Sequence, residues 1–371
     1  MAKDFSVPGI EDGSRLAGWI SAGGSVPDGS DLAGIELIAG GRSNLTYRLD
    51  FGSSARLVLR RPPLGHVLPT AHDMAREYRV LTALHGTAIP VPAPVAFCPD
   101  PEVIGAPFYL MEYVDGLVLR TREDGGQVTE DQARQLSERL AGMLAAIHGV
   151  DIAAVGLTDF GRPAGYLARQ LARWQRQWEL SATREMPGYS GLVERLTAGL
   201  PDSAHAALVH GDFRIDNMLV VLGDRPEIAA VVDWEMCTLG DPLADLGLTL
   251  MYWADPADEE WRSIGVGAGV TARPGFFSRA QLASRYAELT GLDISGIGYY
   301  MAFGCFKLAV VLEGIHARYL QHKTVGEGFD REGRVVPLLI ARAHELLDSD
   351  PLASRQAAGR DAPAGPEGPG R

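Results

Sequence analysis

The segment that most constrains this chain is residues 210–217, which read HGDFRIDN and are followed, sixteen residues after Asn217, by the aspartate of VVDWE. Asp212 lies two residues after His210, and Asn217 lies five residues after Asp212. Two apolar runs, MLVVL and IAAVV, separate Asn217 from Asp233 and predict a pair of strands. A turn whose Asp and Asn side chains only cap backbone groups is the alternative, and the additional aspartate after the second apolar run disfavours it.

The spacing of these residues is that of the catalytic loop of protein kinases. In phosphoryl transfer, the loop aspartate accepts the proton of the substrate hydroxyl, the asparagine holds magnesium, and a second aspartate bridges the metal to the nucleotide phosphates. We therefore predict that Asp212 is the general base and that Asn217 and Asp233 bind Mg²⁺, which prefers oxygen donors. Arg214 is placed to stabilise the transferring phosphoryl group, with a surface arginine as the alternative. His210 is predicted to hold the loop through backbone hydrogen bonds.

The sequence around this loop is similar to a known family. LVHGDFRIDNMLV and VVDWEMCTLGDPLADLG resemble the aminoglycoside phosphotransferase-like family of small-molecule kinases. GGRSNLTY, LVLRRPP, REYRVL and IGAPFYLMEYVDG resemble one branch, the kinase-like domain of acyl-CoA dehydrogenase fusion proteins and its free-standing bacterial relatives. The resemblance runs from about Ile35 to about Trp253. It implies an α+β, protein-kinase-like two-lobed fold, with a small antiparallel-sheet N-lobe, a larger mainly helical C-lobe, and ATP and Mg²⁺ as cofactors.

A glycine-rich turn, GGRSN, lies between two predicted strands and contains Gly41, Ser43 and Asn44. Such a turn can bring backbone N–H groups against phosphate oxygens without interference from a Cβ atom. A hairpin turn with no ligand is the common alternative, but the catalytic loop downstream favours phosphate binding. We therefore predict that these three residues contact the nucleotide.

Arg60, in the strand LVLR, occupies the place where kinases have the lysine that contacts the nucleotide phosphates. Glu77 follows it by seventeen residues on a predicted helix and is placed to pair with it, although a surface ion pair is the alternative. A guanidinium keeps the charge and can bind oxygens bidentately, although its geometry differs from that of lysine. The resemblance to the branch named above, which also has arginine here, implies that the departure from lysine is not a loss of activity. Arg61 is a rival, but strand alternation points it to the opposite face, and its replacement is expected to do little.

Glu112 and Val114, in MEYV, are predicted to lie in the segment that joins the two lobes. In kinase-like folds, this segment hydrogen-bonds the adenine through its backbone, and the resemblance implies the same role for these two residues. An ordinary half-buried strand is the alternative.

The order of strand and helix patterns predicts the domain organisation. Short runs at 35–39, 46–51, 56–60 and 108–114 predict an antiparallel sheet. Helices are predicted from a Thr70 cap to Gly86, after Thr129, after Ser278, and over an apolar stretch at 299–320. We predict an N-terminal segment (1–30), a nucleotide-binding N-lobe (31–115), a C-lobe with the catalytic loop and acceptor pocket (116–350), and a disordered, Gly- and Pro-rich tail (351–371).

Composition narrows the classes of partner. The 371 residues carry a formal net charge of −13, which argues against non-specific binding to nucleic acid. Three scattered cysteines without metal-ligand spacing make a disulfide framework and a zinc site unexpected, and they fit a reducing, cytoplasmic location. No uninterrupted apolar run is long enough to predict a membrane span. The sequence leaves the oligomeric state open.

The acceptor is predicted only as a small molecule with a hydroxyl group. The branch resemblance favours a hydroxyacyl-CoA, whereas the acidic composition favours the polycationic sugar of an antibiotic kinase. A catalytically silent nucleotide-binding module is the alternative of another class, and the arginine at position 60 is the feature in its favour. Protein kinase activity is disfavoured, since Asp233 is followed by Trp-Glu where kinases have Phe-Gly.

Overall fold

A computed structural model describes residues 6–24, 29–38, 44–52, 54–64, 72–202, 205–255, 269–321, 332–349 and 352. Gly41, Ser43 and the predicted tail, apart from Leu352, fall outside these ranges. The chain divides into two compact units. Unit 1 comprises Met1–Leu119, Val150–Phe160 and His210–Thr238, and unit 2 comprises Arg120–Gly149, Gly161–Val209 and Leu239–Arg371.

The centre of unit 1 is a five-stranded antiparallel sheet in the order β1-β2-β3-β5-β4. Its strands are β1 (Leu32–Leu37), β2 (Leu45–Phe51), β3 (Arg56–Arg61), β4 (Pro94–Cys98) and β5 (Phe108–Glu112). The predicted antiparallel sheet is confirmed, with one strand more than predicted. β4 was missed because it begins at a proline, which cannot donate to a strand ladder. The sheet order places β4 at the edge, where a proline is tolerated.

Helices cover both faces of this sheet. Helix α1 (Gly13–Gly23) buries Leu16 and Ile20 in a core with apolar side chains from the first face, and Trp19 packs edge-on against Phe108 at 4.9 Å. Helix α2 (Met74–Leu84) lies against β4 and β5 on the second face. Because side chains alternate along β3, Arg60 and Arg61 lie on opposite faces of the sheet, as predicted.

The N-terminus of α2 differs from the sequence prediction. Its N-cap is Asp73, whose carboxylate accepts a hydrogen bond from Arg76 N at 3.1 Å, and not Thr70, which lies outside the described residues. The helix ends at Leu84, and Gly86 follows in the left-handed conformation. Both Thr70 and Asp73 are good caps, so residue type alone does not choose between them.

Arg61 has a structural role that the sequence did not reveal. Its guanidinium lies on the α1 side of the sheet, is 6% exposed, and donates to the backbone carbonyls of Gly9, Ile104 (2.8 Å) and Pro62 (3.2 Å). The expectation that its replacement would do little concerned nucleotide binding and stays a prediction; for stability we expect a clear loss, because three carbonyl groups would lose a charged donor.

We expect Arg61→Ala to lower the free energy of unfolding by roughly 2–4 kcal/mol, since buried acceptors would be left without their charged partner. Urea unfolding of the purified protein measures this loss. Arg56→Ala is the matched control, because Arg56 pairs with Asp115 at the surface and its loss should cost about 1 kcal/mol or less. Equal destabilisation by the two variants would contradict the structural role of Arg61.

The rest of unit 1 carries the catalytic-loop motif HGDFRIDN. Strands β7 (Met218–Val221) and β8 (Glu227–Val231) form the predicted antiparallel pair. Single turns of 3₁₀ helix at Ile215–Asn217 and Trp234–Met236 flank this hairpin. Because Met218 pairs with Val231, the start of β7 and the end of β8 lie together, and the residues predicted for catalysis flank this one end of the hairpin.

Unit 2 is mainly helical. Its helices are α3 (Glu130–His148), α4 (Tyr166–Ser181), α5 (Tyr189–Ala198), α6 (Pro242–Tyr252), α7 (Arg279–Thr290), α8 (Ile297–Leu320) and α9 (Glu332–Asp348). Short elements at Asp124–Gln127, Val270–Ala272, Ala207–Val209 (β6) and Thr238–Gly240 (β9) complete the described structure. A capping box begins α3 at Thr129, as predicted. Ser278 is the N-cap of α7, as predicted, and it also forms a capping box with Gln281. On α7, Leu282 and Tyr286 are buried, whereas Leu289 is 42% exposed.

Helix α8 is the apolar helix predicted at 299–320. Among the described residues, it is the one helix long and apolar enough to cross a membrane, but 78% of its most apolar window is buried inside the protein. Such burial is typical of a core helix. The helix packs against α6 and α9 and forms the centre of unit 2.

Candidate active site

The catalytic-loop residues lie together in unit 1. Asn217 Nδ2 donates to the Asp212 carboxylate (3.0 Å) and to the Asp212 carbonyl (2.9 Å). Val232 N donates to the carbonyl of Asn217 (3.0 Å), which fastens the loop to the residue before Asp233. The hairpin of β7 and β8 thus holds Asp212, Asn217 and Asp233 at one end, although sixteen residues separate the last two in the chain.

The loop is shaped by two residues at its start. His210 is fully buried; its Nε2 donates to the Val232 carbonyl (3.0 Å), and Asp212 N donates to its Nδ1 (3.3 Å). This is the structural role predicted for His210. Gly211 has a φ of +83°, and a Cβ atom there would lie 2.6 Å from the Met236 carbonyl oxygen. Only glycine lets the loop pass this close to the turn that follows Asp233.

Arg60 joins the sheet to the Asp233 turn. Its Nε lies 3.1 Å from Glu77 Oε1, and its Nη2 contacts Asp233 Oδ1. The predicted pairing of Arg60 with Glu77 is therefore present, and it is buried rather than a surface ion pair. The side chains of Arg60 and Glu77 are 9% and 2% exposed, whereas that of Asp233 is 27% exposed. Asp233 thus remains open to a ligand while its partners are enclosed.

The electrostatics of this cluster keep Asp233 anionic. Burial opposes its ionisation, but the Arg60 guanidinium holds the pKa of Asp233 below its ordinary value. Burial also works against the charge of Arg60, yet Glu77 and Asp233 raise the pKa of Arg60 well above its ordinary value. Burial raises the pKa of Glu77 to about 7, although Arg60 opposes this shift. Arg60 is thus a buried cation held between the carboxylates of Glu77 and Asp233.

Arg214 lies beside the predicted base. Its Nε is 3.8 Å from Asp212 Oδ2, and its Nη2 is 2.6 Å from Asp216 Oδ2. Asp216 helps to orient Arg214 through this contact. The loop therefore presents a carboxylate, 26% exposed, with a cation beside it.

The glycine-rich turn was predicted to contact the nucleotide through Gly41, Ser43 and Asn44. Gly41 and Ser43 lie outside the described residues. Asn44 is 3% exposed, and both ends of its amide are engaged within the protein, with Glu235 (3.0 Å) and His72 (2.8 Å). Sequence reasoning missed His72 and Glu235, whose positions in the chain give no sign of this contact.

The predicted adenine-binding residues follow the sheet. Glu112 ends β5, and its N–H donates to the Ala93 carbonyl (2.9 Å) while its carboxylate accepts from Ala93 N (3.2 Å). Val114 lies two residues beyond, half-buried, in the segment that leaves the sheet. The structure places both residues at the end of the sheet, and their role in adenine binding stays a prediction.

The donor set at the end of the hairpin fits magnesium. Because the nitrogen of the Asn217 amide faces Asp212, its oxygen is the atom directed away from Asp212. With Asp233 it offers one amide and one carboxylate oxygen, the partial set that Mg²⁺ takes when phosphate oxygens and water complete its shell. No group of three or more His, Cys, Asp or Glu side chains suited to another metal occurs among the described residues.

Comparison with known proteins gives one family. The model of the phosphotransferase enzyme family matches residues 34–276. Acyl-CoA dehydrogenase family member 11 from Gallus gallus is 35% identical over 315 residues, which is 82% of this chain and 39% of that protein. The chain thus spans less than two-fifths of the length of this relative.

Solved structures agree with this comparison. A crystal structure from Ralstonia eutropha, named provisionally as an aminoglycoside phosphotransferase, is 31% identical and has a TM-score of 0.74, covering 91% of this chain and 98% of its own. A thermostable mutant of aminoglycoside phosphotransferase APH(4)-Ia, in complex with ADP and hygromycin B, is 15% identical, with a TM-score of 0.56, covering 90% and 97%. The second likeness concerns the fold alone. The α+β, kinase-like fold predicted from the sequence is confirmed.

Proposed function

Because this chain belongs to the phosphotransferase enzyme family, we propose that it transfers the γ-phosphate of ATP to a hydroxyl group of a small molecule. The observation that carries this proposal is the joining of Asp212 to Asn217 by a 3.0 Å hydrogen bond, at the same end of a hairpin as Asp233. A catalytically silent module would have no need to keep all three residues in this arrangement.

Each residue has a distinct role in this proposal. Asp212 accepts the proton of the acceptor hydroxyl, a task that requires a carboxylate within reach of the reacting oxygen. Asn217 and Asp233 would hold Mg²⁺, which when bound neutralises charge on the phosphates. Arg214 stabilises charge on the transferring group, and Arg60 orients the α- and β-phosphates from its position beside Asp233.

The remaining predicted contacts lie around the nucleotide. Gly41 and Ser43 would donate backbone N–H groups to phosphate oxygens, as glycine-rich turns do in other nucleotide sites. Glu112 and Val114 would bind the adenine through their backbone. Glu77 acts through Arg60, whose guanidinium it holds in place. Asn44 would affect nucleotide binding only through its neighbours, because its side-chain amide is already hydrogen-bonded to Glu235 and His72.

For the acceptor we propose a hydroxyacyl-CoA. The relative from Gallus gallus is an acyl-CoA dehydrogenase family member, and a kinase acting on acyl-CoA substrates would supply such an enzyme with a modified substrate. Phosphorylation would turn a hydroxyl into a better leaving group. The second candidate is an aminoglycoside, for which the net charge of −13 is the favourable observation, since it attracts polycations.

An ADP-release screen tests both acceptors. We expect ADP release with a hydroxyacyl-CoA and Mg²⁺-ATP, and none with kanamycin-type amines. The non-hydroxylated acyl-CoA of the same chain length is the matched control, because it lacks only the attacking oxygen. Release with the amines alone would identify an antibiotic kinase. Absence of Mg²⁺-dependent ATP binding would overturn the phosphotransferase proposal itself.

A further inference from the structure

Three side chains from separate parts of unit 1 meet beside the Asp233 turn. Asn44 immediately precedes β2, His72 precedes α2, and Glu235 lies in the 3₁₀ turn two residues after Asp233. Asn44 Nδ2 donates to Glu235 Oε2 at 3.0 Å, and His72 Nδ1 lies 2.8 Å from Asn44 Oδ1 and 3.6 Å from Glu235 Oε2. We call these three residues the Asn44 clasp.

The chemistry of the partners fixes the orientation of the central amide. A carboxylate can only accept hydrogen bonds, so the nitrogen of Asn44 must face Glu235. The amide oxygen therefore faces His72, whose Nδ1 must carry a proton in order to donate to it. Because Asn44 is 3% exposed, both bonds are shielded from water and contribute more than they would at the surface. An aspartate at position 44 would instead place two carboxylates in contact.

The clasp holds two strained backbone positions. Asp233 and His72 have φ values of +67° and +63°, in the left-handed region that costs a residue other than glycine roughly 1–3 kcal/mol. Such conformations persist only where the surroundings impose them. Asn44 links the segments on which both lie, since it bonds His72 directly and reaches the Asp233 turn through Glu235. The clasp therefore supplies a constraint that the strained turn requires.

Helix α2 is linked to the same turn in two further ways, one through Arg60 and one direct. Glu77 pairs with Arg60, which contacts Asp233, and Arg76 Nη2 donates to the Cys237 carbonyl at 3.2 Å. The turn is thus attached before, at and after Glu235. Of these attachments, the clasp is the one that also includes the residue following the glycine-rich segment at 40–43.

We propose that Asn44, His72 and Glu235 are positioning residues that set the orientation of the Asp233 carboxylate, an inference that rests on the proposed role of Asp233 in binding Mg²⁺. None of the three needs to touch the metal or the nucleotide. Their effect is to keep the Asp233 turn in the one geometry that directs its carboxylate toward the ligand.

A double-mutant cycle tests the clasp in the full-length protein. We expect Asn44→Ala and Glu235→Ala each to raise the Mg²⁺ concentration needed for half-maximal ATP binding by roughly 10-fold, the effect of losing a partner that orients a metal ligand. The double variant should need no more Mg²⁺ than the more damaging of the two single variants, because either change breaks the same link. Glu235→Gln should shift it less, since its amide oxygen still accepts from Asn44.

The control is Glu36→Ala, which removes an exposed carboxylate that pairs with Arg48 at 2.7 Å on the neighbouring strands. It should leave the Mg²⁺ requirement unchanged. Additive effects of the two clasp variants, or unchanged Mg²⁺ requirements in both, would overturn the proposal. A general loss of stability would instead lower the melting temperature without a selective shift in the Mg²⁺ requirement, and that result would also count against it.

Hydrogen exchange of the ligand-free protein separates this proposal from the proposed function. We expect faster exchange of the amides at 232–237 in Asn44→Ala and Glu235→Ala, with helix α8 unchanged. If the wild-type protein shows no Mg²⁺-dependent ATP binding, the proposed function fails while the exchange data still report on the clasp. Unchanged exchange at 232–237 would overturn the clasp even in an active enzyme.

Discussion

Asp233→Asn is expected to lose turnover by roughly 10³-fold or more, because a metal that contributes several kcal/mol to transition-state stabilisation would lose its charged ligand. The carboxylate is the anionic oxygen donor at the end of the hairpin, and Arg60 keeps it ionised. An amide of the same shape retains an oxygen but not the charge. Steady-state ADP release and the Mg²⁺ dependence of ATP binding measure the two consequences.

The fold should survive this substitution. Asparagine tolerates the left-handed conformation found at this position, with a φ of +67°, better than alanine does. Arg60 keeps its contact with Glu77 at 3.1 Å, so no buried cation is left unpaired. Asp233→Ala should also abolish turnover, but it adds backbone strain, which makes Asp233→Asn the cleaner variant.

Asp224→Asn is the matched control for Asp233→Asn, since Asp224 is an exposed aspartate in the turn between β7 and β8. Its replacement removes one negative charge from the same hairpin and should leave turnover near the wild-type value. Wild-type activity and wild-type Mg²⁺ dependence in Asp233→Asn would show that the metal assignment is wrong.

Local sequence signals predicted the elements that depend on local chemistry. The helix caps at Thr129 and Ser278 could be predicted because the residues that make a cap lie within one turn of each other in the chain. The sheet could be predicted from the alternating burial along β2 and from the short, almost fully buried run of β3. The edge strand β4 and the Asp73 cap could not be predicted, because each depends on which of several compatible residues the tertiary structure selects.

Site residues could be predicted where they lie close together in the chain, but not where they are far apart in it. Asp212 and Asn217 lie five residues apart, and a loop motif records that distance in the sequence. The clasp joins Asn44 to His72 and Glu235, which are 28 and 191 residues away in the chain. No periodicity or motif encodes such a contact. Arg61 was assigned to the correct face by alternation, but two of its carbonyl partners, Gly9 and Ile104, lie 52 and 43 residues away in the chain.

Asp212→Asn is expected to keep the affinity for ATP and to lose roughly 10²-fold or more in kcat, the contribution of a positioned general base. An amide cannot accept the hydroxyl proton at neutral pH. It can, however, turn its oxygen toward Asn217 Nδ2 and so preserve the 3.0 Å contact, while the second bond of that nitrogen, to the backbone carbonyl, is unaffected. The loop should therefore keep its shape and its magnesium-binding residues.

The separation of kcat from ATP affinity is what identifies the base. ADP release with the active acceptor gives kcat, and titration with a fluorescent ATP analogue in the presence of Mg²⁺ gives the affinity. Asp212→Ala should lose the same factor in kcat and some stability as well, because Asn217 would lose its carboxylate partner. A collapse of ATP affinity in Asp212→Asn would instead assign Asp212 to the metal or to the loop structure, and the proton would then need another acceptor.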